Sequence, residues 1–77
     1  MKTELQEKLN KKIREHITIA NLHMKTFREN GDVHSYQAAM TRMGHAFEDI
    51  EIMFSLELIT IEEAIQLQER VSHEILG

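Results

Sequence analysis

Histidine is the residue type in this chain best suited to metal binding or proton transfer, and five of the 77 residues are histidines. His16 and His23 lie two helical turns apart, a rise of about 10 Å, so the two rings cannot bind one first-row metal ion without other ligands. His45 and Glu48 have a better spacing, but the Glu-x-x-His motif that di-iron bundles carry on two helices is absent. We therefore expect solvated or packed histidines without a metal, with pH sensitivity between about pH 5 and 7 as the alternative.

Nucleophilic catalysis has little support in the residue types. The chain has no cysteine, and Ser35, Ser55 and Ser72 have no histidine and aspartate at a spacing that a helical fold would bring together. Its three glycines are scattered, so no glycine-rich loop is available to hold a phosphate group. We expect no catalytic residues, no cofactor and no enzymatic activity.

The charged residues are divided unevenly along the chain, whose formal net charge is −4. Residues 1–28 contain seven Lys and Arg against three Glu, whereas residues 29–77 contain two Arg against ten Asp and Glu. A basic helix packed beside acidic helices explains this asymmetry. The alternative is that one charged half meets a partner, since such an asymmetry raises encounter rates and sets specificity.

Each charged half contains a candidate binding surface. A basic cluster of Lys8, Lys11, Lys12 and Arg14 is a candidate for nucleic-acid binding, but the chain as a whole is acidic and has no short recognition helix, so a solvated face is the simpler interpretation. An acidic set gathers around the turn between the second and third predicted helices. It could dock on a basic protein surface or imitate a phosphate backbone. Its members are Glu48, Asp49, Glu51, Glu57, Glu62 and Glu63.

The first two helices are predicted from their ends, since the chain contains no proline. A capping box that begins at Thr3 starts the first helix, which covers about residues 4–29. Gly31 tolerates the left-handed conformation that commonly ends a helix. Asp32 then caps the second helix, which covers about residues 33–58.

The third helix is shorter than the other two. A second capping box, Thr60 with Glu63, starts it, and it covers about residues 61–76. Because the connections contain only a few residues, consecutive helices must be antiparallel neighbours. The sequence therefore predicts one all-α domain over residues 1–77, an antiparallel hairpin of two long helices plus a short third helix.

An apolar repeat with alternating spacings of three and four residues runs through the second helix. Such a repeat forms one stripe along a helix, so we predict a packing seam against other helices. A second stripe on this helix, Ile52, Leu56 and Ile59, is predicted to face the third helix at Ile61, Ile65, Gln68 and Val71. The seam consists of Val33, Tyr36, Met40, Met43, Phe47, Ile50 and Phe54.

The middle of the first helix is apolar nearly all round, and the third helix is too short to cover it. At 1.5 Å per residue the third helix is only about 24 Å long, against about 40 Å for each of the first two. The chain also has no disulfide to stabilise so small a domain. We therefore predict a homodimer, a helical bundle in which the seam of the second helix is joined by four residues of the first, Ile17, Ile19, Leu22 and Met24.

These patterns favour a small non-enzymatic protein that binds or regulates another protein through a helical bundle surface. Two alternatives stay open: nucleic-acid binding or mimicry by the acidic half, and a structural subunit of a larger assembly. The N-terminal residues carry charges where a signal peptide needs an apolar core, and no apolar run approaches about 20 residues. We therefore expect a cytoplasmic protein without a membrane partner.

Overall fold

The computed structural model describes the backbone of residues 2–77 and the side chains of residues 4–77. It contains three helices, α1 (Lys2–Asn30), α2 (Val33–Ser55) and α3 (Ile61–Leu76). The predicted all-α class is confirmed, because no strand occurs among the described residues. α1 and α2 form an antiparallel hairpin, and α3 packs against both of them. No helix within residues 2–77 combines the length and the apolar character needed to cross a bilayer.

The start of α2 is capped by Asp32, as predicted. Its carboxylate accepts hydrogen bonds from the His34 backbone N–H at 3.0 Å and from the Ser35 hydroxyl at 3.1 Å. The bond from the Ser35 hydroxyl, followed by the one from the His34 backbone, lowers the pKa of the Asp32 carboxyl. The capping box predicted at Thr3 lies outside the described side chains, and α1 already begins at Lys2.

Both ends of α3 are held by hydrogen bonds. At its start the Glu63 backbone N–H donates to the Thr60 hydroxyl at 3.1 Å, and the Glu63 carboxylate accepts from the Thr60 backbone N–H at 2.9 Å, so this predicted capping box is confirmed. At its end the Arg28 guanidinium donates to the Ile75 carbonyl at 3.4 Å. This bond places a cation at the negative end of the α3 dipole and ties the end of α3 to the last turn of α1.

α2 ends at Ser55, three residues before the predicted end at residue 58. The physical reason is a helix-ending motif in which Glu57 adopts the left-handed conformation, with φ of 59°. The backbone N–H of Glu57 donates to the Phe54 carbonyl at 3.0 Å, and that of Leu58 donates to the Met53 carbonyl at 2.9 Å. These two bonds form a Schellman motif, which normally has glycine at the left-handed position.

The hairpin is packed along small side chains. Ala20 of α1 and Ala39 and Ala46 of α2 are completely buried, which allows the two helix backbones to approach closely. Larger apolar side chains of α1, Leu9, Ile13 and Met24, extend this core towards its ends. The buried residues of α2 are Ser35, Ala39, Ala46, Asp49, Ile50 and Met53.

The seam predicted for α2 is therefore not the centre of the face that packs against α1, although the ring of its Tyr36 lies 5.1 Å from that of Phe27 of α1. Its apolar stripe lies roughly a quarter of a turn away from the buried face, at the edge of the hairpin interface. Ile50 is the seam residue that is fully buried. The half-buried members are Met40, Met43 and Phe47, and the exposed ones are Val33, Tyr36 and Phe54.

The second apolar stripe predicted on α2 is corrected in part. Ile59 is buried, but Ile52 and Leu56 remain exposed. Of the α3 residues predicted to face this stripe, Ile61 and Ile65 are exposed, whereas Gln68 is half-buried and Val71 is buried. The reason is that α3 turns a different stripe towards the core, which consists of Ala64, Val71 and Ile75.

The apolar middle of α1 is divided between the core and the surface. Met24 is buried, whereas Ile17 and Ile19 are half-buried. Leu22 has 62% of its surface exposed, the largest exposure of any large apolar side chain described. Of the four residues predicted on this helix for a dimer surface, Leu22 is thus the one that a single chain leaves open.

The left-handed Glu57 predicts a stabilising substitution. Glu57→Gly should raise the free energy of unfolding by about 0.5–1 kcal/mol, since glycine adopts this conformation without the steric cost that a Cβ imposes. Urea unfolding of the two proteins measures the difference. Glu57→Ala, which keeps a Cβ, is the control and should be close to neutral. A less stable Glu57→Gly protein would contradict the steric cost of a Cβ at this left-handed position.

Candidate functional site

The structure brings three polar side chains together in the middle of the hairpin. His16 of α1 lies between Arg42 and Asp49 of α2. Its Nδ1 is 3.2 Å from a guanidinium nitrogen of Arg42, and its Nε2 is 3.5 Å from Oδ2 of Asp49. Asp49 is only 9% exposed, and its Oδ2 has no hydrogen-bond partner among the described residues. We call these three residues the polar layer.

The partners of His16 determine where its proton lies. A guanidinium only donates hydrogen bonds, so Nδ1 of His16 must accept from Arg42 and carry no proton. The proton of the neutral ring is then on Nε2, which faces the Asp49 carboxylate. At 3.5 Å this contact is too long to satisfy the buried Oδ2 fully.

The environment of His16 favours its neutral form. Burial is the largest cause and lowers the pKa of His16; the Asp49 carboxylate opposes this effect, and Arg42 and His45 add to it. His45 lies next to His16, with the two ring centroids 5.5 Å apart. His45 also has an exposed contact of 3.8 Å with Glu48.

The chemistry open to the polar layer is limited. No group of three or more histidine, aspartate or glutamate side chains in the described part of the chain has the geometry to hold a metal ion. Among the same residues no hydroxyl hydrogen-bonds to His16, and the Ser35 hydroxyl donates to Asp32 instead. A polar layer inside an apolar helix interface does have a structural role, since its side chains can pair in only one register of the two helices.

A groove of about 510 Å³ separates α3 from α1. Its floor is apolar, and Arg14 of α1 and Arg70 of α3 line its walls. Glu63 and Glu74 line it as well, so these residues of α3 face α1. The α1 residues that line the groove do not include His16, and α3 therefore lies on the opposite side of the hairpin from the polar layer.

Not all six residues of the predicted acidic surface are exposed and free to bind a partner. Asp49 is corrected: it is buried against His16, because it shares the α1-facing side of α2 with Ala46 and Met53. Glu63 is exposed, but its carboxylate is used in the capping box with Thr60. The remaining members, Glu48, Glu51, Glu57 and Glu62, are exposed.

An apolar surface runs along α2 and α3 on the side away from the polar layer. On α3, Ile61, Ile65 and Leu76 lie on the flank opposite Glu63 and Glu74, which face α1. On α2, the exposed seam residues lie on the flank opposite Arg42 and Asp49, which meet His16. We call this surface the α2–α3 face; its exposed residues are Val33, Tyr36, Phe54, Ile61, Ile65 and Leu76.

Comparison with known proteins gives no further identification. No family model, no curated protein and no solved structure matches the chain. Function must therefore be inferred from the geometry of the described residues.

The polar layer predicts a strongly non-additive pair of substitutions. His16→Leu should lower the free energy of unfolding by about 1–3 kcal/mol, because the buried Asp49 carboxylate then loses the imidazole N–H that faces it. Adding Asp49→Leu should restore most of that loss, since an apolar pair leaves no buried charge. Urea unfolding of the two single variants and the double variant measures the coupling. Additive losses would contradict the pairing.

The lowered pKa of His16 predicts a loss of stability in mild acid. The unfolded chain takes up this proton near the ordinary pKa of 6.5, above the pH at which the folded chain does. The contribution of His16 is therefore complete above about pH 6.5 and falls as the pH decreases through the lowered pKa. Urea unfolding between pH 7.5 and pH 5 should show a smaller pH dependence for His16→Gln than for the unsubstituted chain, whereas equal slopes would contradict this prediction.

Proposed function

We propose that this chain is a small, non-enzymatic interaction protein that binds a helical segment of another polypeptide on the α2–α3 face. The observation that carries the proposal is the placement of the exposed apolar side chains. Of the ten large apolar residues that are exposed in the described part of the chain, six lie on this face. Single exposed apolar residues are normal on soluble proteins, but a row of six along two helices is typical of a binding surface.

The shape of the face fits a helix better than a small molecule. Its residues extend from Val33 at the start of α2 to Phe54 at the end of that helix, and the molecule is 44 Å long in its largest dimension. A helix laid along such a surface buries apolar side chains at intervals of three and four residues. The whole seam of α2 has this spacing; Val33, Tyr36 and Phe54 are its exposed members, and Met40, Met43 and Phe47 between them are half-buried.

A homodimer is the simplest form of the proposal. A second copy offers the same heptad spacing on α2, which is the pattern that helices use to pack on one another. Gly44 lies on the outer side of α2, and a Cβ added there would meet nothing within 4 Å. A second helix could therefore approach α2 closely at this point.

The α1 residues predicted for the dimer lie on a different part of the surface. Leu22 is the most exposed of them, and it does not share a flank with Val33, Tyr36 or Phe54. A symmetric dimer that meets through the α2–α3 face therefore leaves Leu22 outside its interface. Leu22 is therefore a matched control for the α2–α3 face, because it is a large exposed apolar residue at a different place.

The homodimer predicts which substitutions change the mass in solution. Light scattering on a sizing column, over a hundredfold range of concentration, should show a species near twice the 9.0 kDa of the chain at the highest concentrations. Ile65→Asp and Phe54→Asp should return it to the mass of one chain, because an unpaired carboxylate is costly to bury in an apolar interface. Leu22→Asp should leave the dimer intact. The reverse pattern would place the dimer surface on α1.

A further inference from the structure

We infer that the preferred occupant of the α2–α3 face is a cationic amphipathic helix of a different protein, which competes with self-association. This inference rests on the proposed function and adds the chemistry of the partner. The observation behind it is the charge around the apolar side chains. Glu51 flanks Phe54 on α2, and Glu62 and Glu69 lie one turn before and one turn after Ile65 on α3, all three exposed.

No lysine or arginine balances these carboxylates on the face. α2 and α3 contain no lysine and two arginines, Arg42 and Arg70. Arg42 is held by His16 on the other side of the hairpin, and Arg70 lines the groove towards α1. Among the described residues, Glu51, Glu62 and Glu69 form no ion pair with any of the basic groups. The face is thus apolar with an acidic rim.

This rim distinguishes between the two kinds of occupant. Residues 29–77, which include both helices of the face, carry two Arg against ten Asp and Glu. Two copies that meet through this face bring two acidic rims together, and like charges across an interface weaken association. A helix with an apolar stripe and flanking lysines covers the same face and places its ammonium groups beside the carboxylates. Electrostatic complementarity therefore favours the cationic helix over a second copy.

The two modes of association must respond to salt in opposite directions. Salt screens the repulsion between two acidic rims, so self-association should strengthen as the ionic strength rises. The same screening weakens the attraction between the rim and a cationic helix. This difference separates the two occupants whatever the identity of the natural partner.

The probe is a synthetic amphipathic helix of about 18 residues, long enough to follow α3, with leucine at heptad-spaced positions and lysine elsewhere. Fluorescence anisotropy of the labelled peptide measures its Kd for the full chain. We expect binding that weakens with salt and converts any dimer to a one-to-one complex. A peptide of the same pattern with glutamate in place of lysine should not bind.

Three variants separate apolar docking from charge. Glu51→Gln/Glu62→Gln/Glu69→Gln should weaken peptide binding by about tenfold and reduce its salt dependence, since each exposed ion pair contributes modestly. A control that removes three exposed carboxylates of α1, Glu4→Gln/Glu7→Gln/Glu29→Gln, changes the net charge equally and should not weaken binding. Ile65→Asp makes the chain more acidic, yet it should abolish binding because it places a carboxylate among the apolar side chains of the face.

The outcomes distinguish the inference from the proposed function. If both peptides bind equally, or if the two triple variants behave alike, the acidic rim does not select the partner and the inference is overturned. If neither peptide binds while Ile65→Asp separates a dimer, the occupant is a second copy, which overturns the inference and supports the proposed function. If neither peptide binds and Ile65→Asp leaves the mass in solution unchanged, the inference and the proposed function are both overturned.

Discussion

The close approach of α1 and α2 along alanine side chains is the constraint on which the rest of this structure depends. Ala20, Ala39 and Ala46 are completely buried, and no larger side chain separates the helices at these points. Because the centre of the interface is filled largely by methyl groups, the seam residues of α2 lie at its edge, and Met53 is the large apolar residue of α2 that is buried on the α1-facing side. On one side they form the surface that receives α3, where Ile50 is fully buried. α3 extends as far as the last turn of α1, where Arg28 bonds the Ile75 carbonyl, but it leaves Val33, Tyr36 and Phe54 of α2 exposed, and the α2–α3 face is what remains open.

The polar layer fixes the register in which α1 and α2 approach each other. On α2, Arg42 and Asp49 follow the alanines with the same alternating spacing, so both meet α1, Asp49 as a buried and Arg42 as a half-buried side chain. A seam of alanines alone would allow the two helices to slide by one heptad at little cost, because small apolar side chains are interchangeable. A buried carboxylate next to an imidazole on the facing helix makes every other register costly. The unsatisfied Oδ2 of Asp49 is the local penalty for that specificity.

The sequence predicted the helices well because their ends depend on local chemistry. The hydrogen bonds of Asp32, and the reciprocal pair of Thr60 and Glu63, involve residues that are neighbours in the chain. The packing face of α2 was harder to predict, because the large residues form a heptad that outweighs the small and polar ones in any hydrophobic pattern. A signal was nevertheless present, since a second stripe with spacings of four and three runs through the helix. That stripe is Ser35, Ala39, Arg42, Ala46, Asp49 and Met53. Asp49 was assigned to the surface because a carboxylate is rarely buried without a partner, and the partner, His16, is 33 positions away.

Neither folding nor helix formation accounts for the residues on the open side of α3. Ile61 and Ile65 are exposed, so they contribute little to the core, and isoleucine has a lower helix propensity than the glutamates beside it. Lysine or glutamine at these positions would give a more soluble chain and a more stable isolated helix. The same helix packs firmly through Val71 and Ile75, so its exposed stripe is not the result of poor packing. An apolar stripe that the fold does not need, beside carboxylates that the fold does not pair, is best explained by a partner that covers both.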